Sequence, residues 1–255
     1  MNTKILLEII VASSDDAVAA SAGGADRFEV CSALALGGLT PSLGTVKAIK
    51  EAVDVPAMCM LRPREGGMAY GAGEFCAMLK DAELFLDAGA DGLVFGLLTS
   101  DGDVDLPRCR ELLQLVEAAG RPVQTCFHRA FDVTASPEVA LDQLIDLGIT
   151  RILTSGRAPT ALEGVDEIRK SVEQARGRIE ILPGGELDAD SVARIVQETG
   201  VGQVHLYVTR SERDRSTVKN PRIYFGAFVP ENEFDCRVAN EREIARIRKT
   251  LDQGA

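Results

Sequence analysis

Few residues of this chain combine chemistry with a fixed setting. The only two histidines are His128 and His205. His128 lies in CFHRAFD, residues 126–132, which ends an apolar run and adds Arg129 and Asp132 within four positions. His205 lies in another apolar run, QVHLYVT. Two carboxylates, Glu8 in ILLEIIVA and Glu29 in DRFEVCSA, interrupt apolar runs in the same way. Arg62 follows a fifth run, PAMCMLRPR. Imidazole and carboxylate together offer acid/base catalysis or a divalent-metal site, and the arginines offer an anion hold. The bland alternative is a buried ion network that fills a core.

These residues must be positioned by the elements that carry them. Eight apolar runs are predicted as strands, at 5–12, 26–33, 56–64, 92–98, 122–128, 151–156, 179–185 and 203–209. Between them, stretches such as SLGTVKAIKEAV and PEVALDQLIDLG repeat apolar residues at three- and four-residue spacing and stop at turn residues. Near-continuous apolar strands alternating with helices predict a parallel sheet covered by helices. Eight such units in about 210 residues predict an α/β fold, a single (β/α)8 barrel. The rival, an open doubly wound sheet, favours a glycine-rich phosphate loop after strand 1, where SSDD stands instead. The barrel core is expected at about 5–209, with a C-terminal extension over 210–255 made of a charged loop, RSERDRST, and a closing helix in NEREIARIRKTLDQ.

In such a barrel, working residues gather at the C-terminal ends of strands. Side chains alternate along a strand, and the outer face packs on apolar helices, so charged groups point inward. Glu29 then carries Cys31 inward, His128 carries Cys126, Arg62 carries Met58 and Met60, and His205 carries Tyr207, while Cys59 faces the helices. Glu8 and Glu29 lie on adjacent strands and repel, so one holds a proton or a cation sits between them, with Arg62 the expected protein cation. The expected pocket has His128 and Arg129 at its floor, with Glu8, Glu29, Arg62 and His205 around them.

Three chemistries stay open. Cys31, Cys126, Met58, Met60 and the histidines suit Cu(I), a soft ion. Two histidines and two carboxylates suit a divalent metal with an open position. Without metal, His128 paired with Asp132 or Glu8 shuttles a proton while Arg62 and Arg129 hold an anion. Ser155 and Gly156, after strand 6, and Gly184 and Gly185, after strand 7, are the expected anion-binding positions. None of the seven lysines lies at a strand C-terminus, which argues against a Schiff-base aldolase.

A net charge of −11 and a pI near 4.8 exclude a nucleic-acid binder, which needs a basic face. No apolar run reaches the length that spans a bilayer, so a cytoplasmic, non-membrane protein is expected. Six cysteines without a CxxC pair are neither a disulfide framework nor a zinc knuckle. The expected partners are a copper ion or a small anionic metabolite; a homo-oligomer is also open, with no face marked for it.

LLEI, GADRFEVC, GGLTPSLG, LRPR, CFHRAFD, LTSG and the strand-8 histidine stand in an order that resembles the CutC copper homeostasis family, from about residue 5 to 209. GGLTPS and FHRAFD are the most specific pieces. The resemblance implies a cytoplasmic barrel linked to copper tolerance, with Cu(I) proposed to bind through the cysteine at Cys31. It places the family's shared polar residues on Glu8, Glu29, Arg62, His128, Arg129, Asp132, Ser155 and His205. Cys126 is outside the common motif and inherits no copper role. The stretch after His205, LYVTRSERDRSTVKN, departs from the small-residue and serine pattern of the family.

Overall fold

A computed structural model describes residues 4–220, 222, 223, 225 and 234–254; residues 226–233 of the expected extension lie outside the described residues. Eight parallel strands form the barrel: β1 (Leu6–Val11), β2 (Arg27–Val30), β3 (Ala57–Met60), β4 (Gly92–Phe95), β5 (Gln124–Phe127), β6 (Arg151–Thr154), β7 (Glu180–Pro183) and β8 (Gln203–Leu206). They pair in the order β7-β6-β5-β4-β3-β2-β1-β8, and a parallel bridge between Gly184 and His205 brings β7 to β8 and nearly closes the circle. The helices α1 (Ser14–Ala22), α2 (Leu43–Ala52), α3 (Ala72–Asp87), α4 (Leu106–Ala118), α5 (Pro137–Asp146), α6 (Val165–Ala175) and α7 (Val192–Thr199) alternate with the strands. Most strands hold four residues, fewer than the apolar runs, because the chain leaves the sheet where the loops begin.

The local reasons are in the sequence. Ser13, Ser42, Asp105 and Ser136 each accept a backbone N–H of the helix they precede, which satisfies a donor that has no intrahelical partner. The outward faces of the strands and the inward faces of the helices form one apolar layer that contains Cys59, Phe95 and Phe127. The two rings meet edge-on at 6.0 Å. Burying each such side chain contributes about 1.5–3 kcal/mol. Inside the barrel, Cys31, Met58, Met60, Val94, Cys126, Leu153 and Leu182 form a second, smaller apolar cluster. The expected pleat holds: Met58, Met60 and Cys126 point in, and Cys59 points out.

The C-terminal region differs from the expected charged loop. Thr209–Arg213 is a strand, β9, paired antiparallel with β10 (Asp235–Ala239), and α8 (Glu241–Gly254) follows. Ala239 N donates to Asp16 Oδ1 at 2.7 Å, which ties β10 to the start of α1. Arg248 of α8 donates to Ile5 O and Asp26 Oδ2 at the other end of the barrel. Among the described residues, no helix is long and apolar enough to cross a membrane.

Candidate functional site

A cavity of about 440 Å³ opens at the C-terminal ends of the strands. Glu29, Cys31, Arg62, His128, Arg129, Gly184, Gly185 and His205, from the sequence-predicted set, line it. Glu8, Asp132, Ser155 and Gly156 are not among the residues that line it. Tyr207, just past the end of β8, also lines the cavity and stays 43% exposed at its mouth.

The two imidazoles have opposite settings. His205 stands across from Glu8 in the register of β8 and β1, and its Nδ1 is 2.7 Å from Glu8 Oε1. Its Nε2 is 3.8 Å from Glu29 Oε2. Burial opposes a charge on this ring, but the Glu29 and Glu8 carboxylates outweigh it and raise its pKa. His128 leaves the sheet directly after β5 and accepts Ala130 N at Nδ1, 3.0 Å away. Burial, reinforced by the Arg62 charge, holds its pKa down at about 3, so the ring is neutral. Both rings lie on glycine: a Cβ at Gly96 would stand 2.2 Å from His128 Cε1, and one at Gly184 would stand 2.9 Å from His205 Cδ2.

The expected pairing of His128 with Asp132 or Glu8 is therefore not formed. Glu8 serves His205, and Asp132 is taken up elsewhere. The Asp132 carboxylate accepts Thr154 Oγ1, Ser155 N, Ser155 Oγ and Arg157 N, and pairs with Arg129 Nε at 2.8 Å. The expected anion positions are thereby filled from within: the Ser155 donors point at Asp132, Gly156 N donates to Thr154 Oγ1, and Gly184 N donates to Thr154 O. Of that set, only the Gly184–Gly185 turn reaches the cavity.

The cation beside Glu8 is also not the expected one. Arg62 lies two residues past the end of β3 and turns to the loop after β2, where Nη1 donates to Leu36 O and Gly38 O, while Nη2 donates to Gly66 O in the loop after β3. Arg27 takes the place, with its Nε on Glu8 Oε2 and its Nη2 on Gln203 Oε1. Burial would raise the Glu8 carboxyl, but Arg27 and then His205 bring it down to about 2. Glu29 sits one pleat higher; burial and the Glu8 charge raise its pKa although His205 opposes them. A sequence signal for Arg27 existed, because it is two residues before Glu29 and shares its face. The same step places Gln124, Arg151 and Gln203 two residues before Cys126, Leu153 and His205. Arg151 binds Gln124 and Glu180, and Gln203 binds Glu180, so a polar layer runs beneath the cavity.

The four-ligand metal set is not assembled. Ligand atoms of Glu8, Glu29 and His205 come within 4.8 Å of one another, without His128. Both Glu8 oxygens and His205 Nδ1 already have partners in Arg27 and each other, so this trio carries its own cation. The soft donors are better placed. Cys31 and Met60 line the cavity beside His205. The Cys31 thiol donates to Glu29 Oε2 at 3.4 Å, and burial together with the Glu29 charge pushes its pKa well up.

The CutC family model matches residues 5–210. The chain belongs to the CutC family. A CutC family protein of Treponema denticola is 47% identical over 97% of this chain and 99% of its own length. The copper homeostasis protein cutC homolog of Homo sapiens is 40% identical over 95% of this chain and 87% of its own. The crystal structure of the CutC protein of Streptococcus agalactiae superposes with a TM-score of 0.74 at 34% identity, covering 79% of this chain and 97% of that one. The CutC match spans the barrel and ends as β9 begins, so the cavity residues all fall within it, whereas β10 and α8 lie beyond it.

Proposed function

We propose that this CutC chain is a cytoplasmic enzyme that binds one small polar metabolite in the barrel cavity and moves a proton on it. One observation carries the proposal. Among the described residues, Glu29 Oε1, Arg62 Nε and His128 Nε2 are buried without a hydrogen-bond partner, and all three residues line the same cavity. Each such group costs about 1–3 kcal/mol when left unpaired. Three of them, from three neighbourhoods of the sequence, belong to residues of one cavity, where a bound ligand would supply the missing partners. His205 is the proton carrier in this scheme. Glu8, held as a carboxylate by Arg27, orients its Nδ1 and leaves Nε2 toward Glu29.

The test is a binding panel of hydroxy acids, keto acids and polyols, read by thermal unfolding and ligand-observed NMR. A binder is expected whose affinity falls about tenfold or more in Glu29→Gln, Arg62→Met and His128→Asn, one hydrogen bond to a charged or buried partner each. Asn keeps the acceptor for Ala130 N and removes only the Nε2 donor. A panel without a binder, or a binder indifferent to all three changes, defeats the proposal.

Copper as cargo is the second reading, favoured by Cys31, Met60 and His205 lining the same cavity. A thiol, a thioether and an imidazole suit Cu(I). The thiol proton must leave on binding, so affinity is expected to rise about tenfold per pH unit. An anaerobic Cu(I) titration against a competing chelator, on wild type and Cys31→Ser, decides it. Tight one-to-one binding lost in the variant supports copper cargo; weak binding, or binding indifferent to Cys31, removes this reading.

A further inference from the structure

We infer that the metabolite is an unphosphorylated, enolisable carbonyl compound such as an α-hydroxy ketone, whose carbonyl oxygen is received by Arg62 Nε and His128 Nε2 and whose adjacent C–H proton is taken by Glu29. This rests on the acid/base reading of the cavity and narrows it.

The donors carry the argument. Ala130 N donates to His128 Nδ1, so the single proton of the neutral ring is on Nε2, which is buried and without a partner. Arg62 commits both terminal nitrogens to the carbonyls of Leu36, Gly38 and Gly66, so among the described residues Nε is its one nitrogen without a partner. A carboxylate or phosphate is gripped by the paired terminal donors of an arginine. Here that fork is closed off by backbone. Two single N–H groups, one on a permanent cation and one on a neutral ring, suit one oxygen on which charge develops.

The phosphate part follows from Asp132. It takes up Ser155 N, Ser155 Oγ, Arg157 N and Arg129 Nε, and Arg129 Nη2 is on Ser155 Oγ and Ala158 O. The second arginine of the cavity is thus neutralised, and the nearby backbone cradle already holds a carboxylate. A phosphate ester would find neither.

The acceptor is Glu29 Oε1, buried and unpartnered in the same cavity. In the proposed step Glu29 takes the proton from the carbon beside the carbonyl. The C–H electron pair becomes the new C=C bond, and the carbonyl π pair moves onto the oxygen held by Arg62 and His128. His205 carries the hydroxyl proton to that oxygen, and Glu29 returns its proton to the former carbonyl carbon. The product is the isomer, and no oxidant or reductant is consumed.

The experiment follows deuterium uptake from D2O by proton NMR. The probes are dihydroxyacetone, erythrulose, xylulose and fructose, with the phosphate esters of the first and last. Wild type is expected to label at least one unphosphorylated probe beside its carbonyl. Glu29→Gln, purified identically and checked for its folded spectrum, should lose about 10³-fold or more. His128→Asn should lose about 10²–10³-fold, as for an oxyanion donor. The esters should exchange at least tenfold more slowly. Faster exchange of the esters overturns the unphosphorylated assignment. No exchange in any probe overturns the carbonyl assignment; in that case a hydroxy acid or polyol bound through Glu29, Arg62 and His128 leaves the acid/base reading standing, and an empty binding panel removes both.

Discussion

Replacing Arg27 with methionine lowers the stability of the barrel by about 3–5 kcal/mol, the usual loss when one partner of a buried ion pair is removed. Arg27 and Glu8 are each only 3% exposed, and methionine fills most of the volume while leaving Glu8 with His205 alone. In a chain of this size the loss corresponds to a fall in Tm on the order of 10 °C. The effect carries a pH signature. Arg27 and His205 hold the folded Glu8 carboxyl down at about 2, against its ordinary value of 4.5. A depressed carboxylate contributes its stability above the unfolded value and loses it as pH falls through the folded one. That contribution is on the order of 3 kcal/mol above pH 4.5 and fades toward pH 2. The gap between wild type and Arg27→Met should therefore be widest at neutral pH and close across that window. Adding Glu8→Gln to Arg27→Met should restore more than half of the loss, since neither charge is then buried alone. Urea titrations at several pH values measure all three quantities. A gap that does not depend on pH would mean that Arg27 acts through packing and not through Glu8.

Asp132→Ala is expected to cost about 3 kcal/mol. The Asp132 side chain is 6% exposed, and its loss leaves Thr154 Oγ1, Ser155 N and Arg157 N without an acceptor, while Ser155 Oγ keeps Ala158 O. Arg129 is 46% exposed and adds little, because water replaces its partner. Asp132→Asn should recover only part of the loss, since its amide nitrogen meets donors. Inorganic phosphate should raise the Tm of Asp132→Ala and leave wild type unchanged, as a ligand that binds the folded state alone does. Chemical denaturation with and without phosphate checks this. A cost below about 1 kcal/mol would show that water fills the cradle adequately.

The sequence reading of the site failed at two places for one physical reason. Arg62 was expected between Glu8 and Glu29 because the alternation of β3 was extended to it. The sheet ends at Met60, and beyond that residue the pleat no longer directs a side chain. His128 was expected to work with Asp132 from their closeness in the chain. The tight turn after Phe127 instead gives His128 a backbone donor of its own and turns Asp132 under the loop after β6. Arg27 lies within the expected strand 26–33 and shares a face with Glu29, but it opens that strand, at the end opposite to the C-terminal ends where working residues gather.

By itself the sequence determined the eightfold alternation, the helical stretches between the strands, and the inward faces of β2, β3 and β5. Those follow from chain-local rules: pleat, helical period and capping. Only the tertiary structure decided which charge meets which. Glu8 finds Arg27 19 residues away and His205 197 residues away, and the register of three adjacent strands makes both meetings. No local rule contains that register, because it depends on how the whole barrel closes.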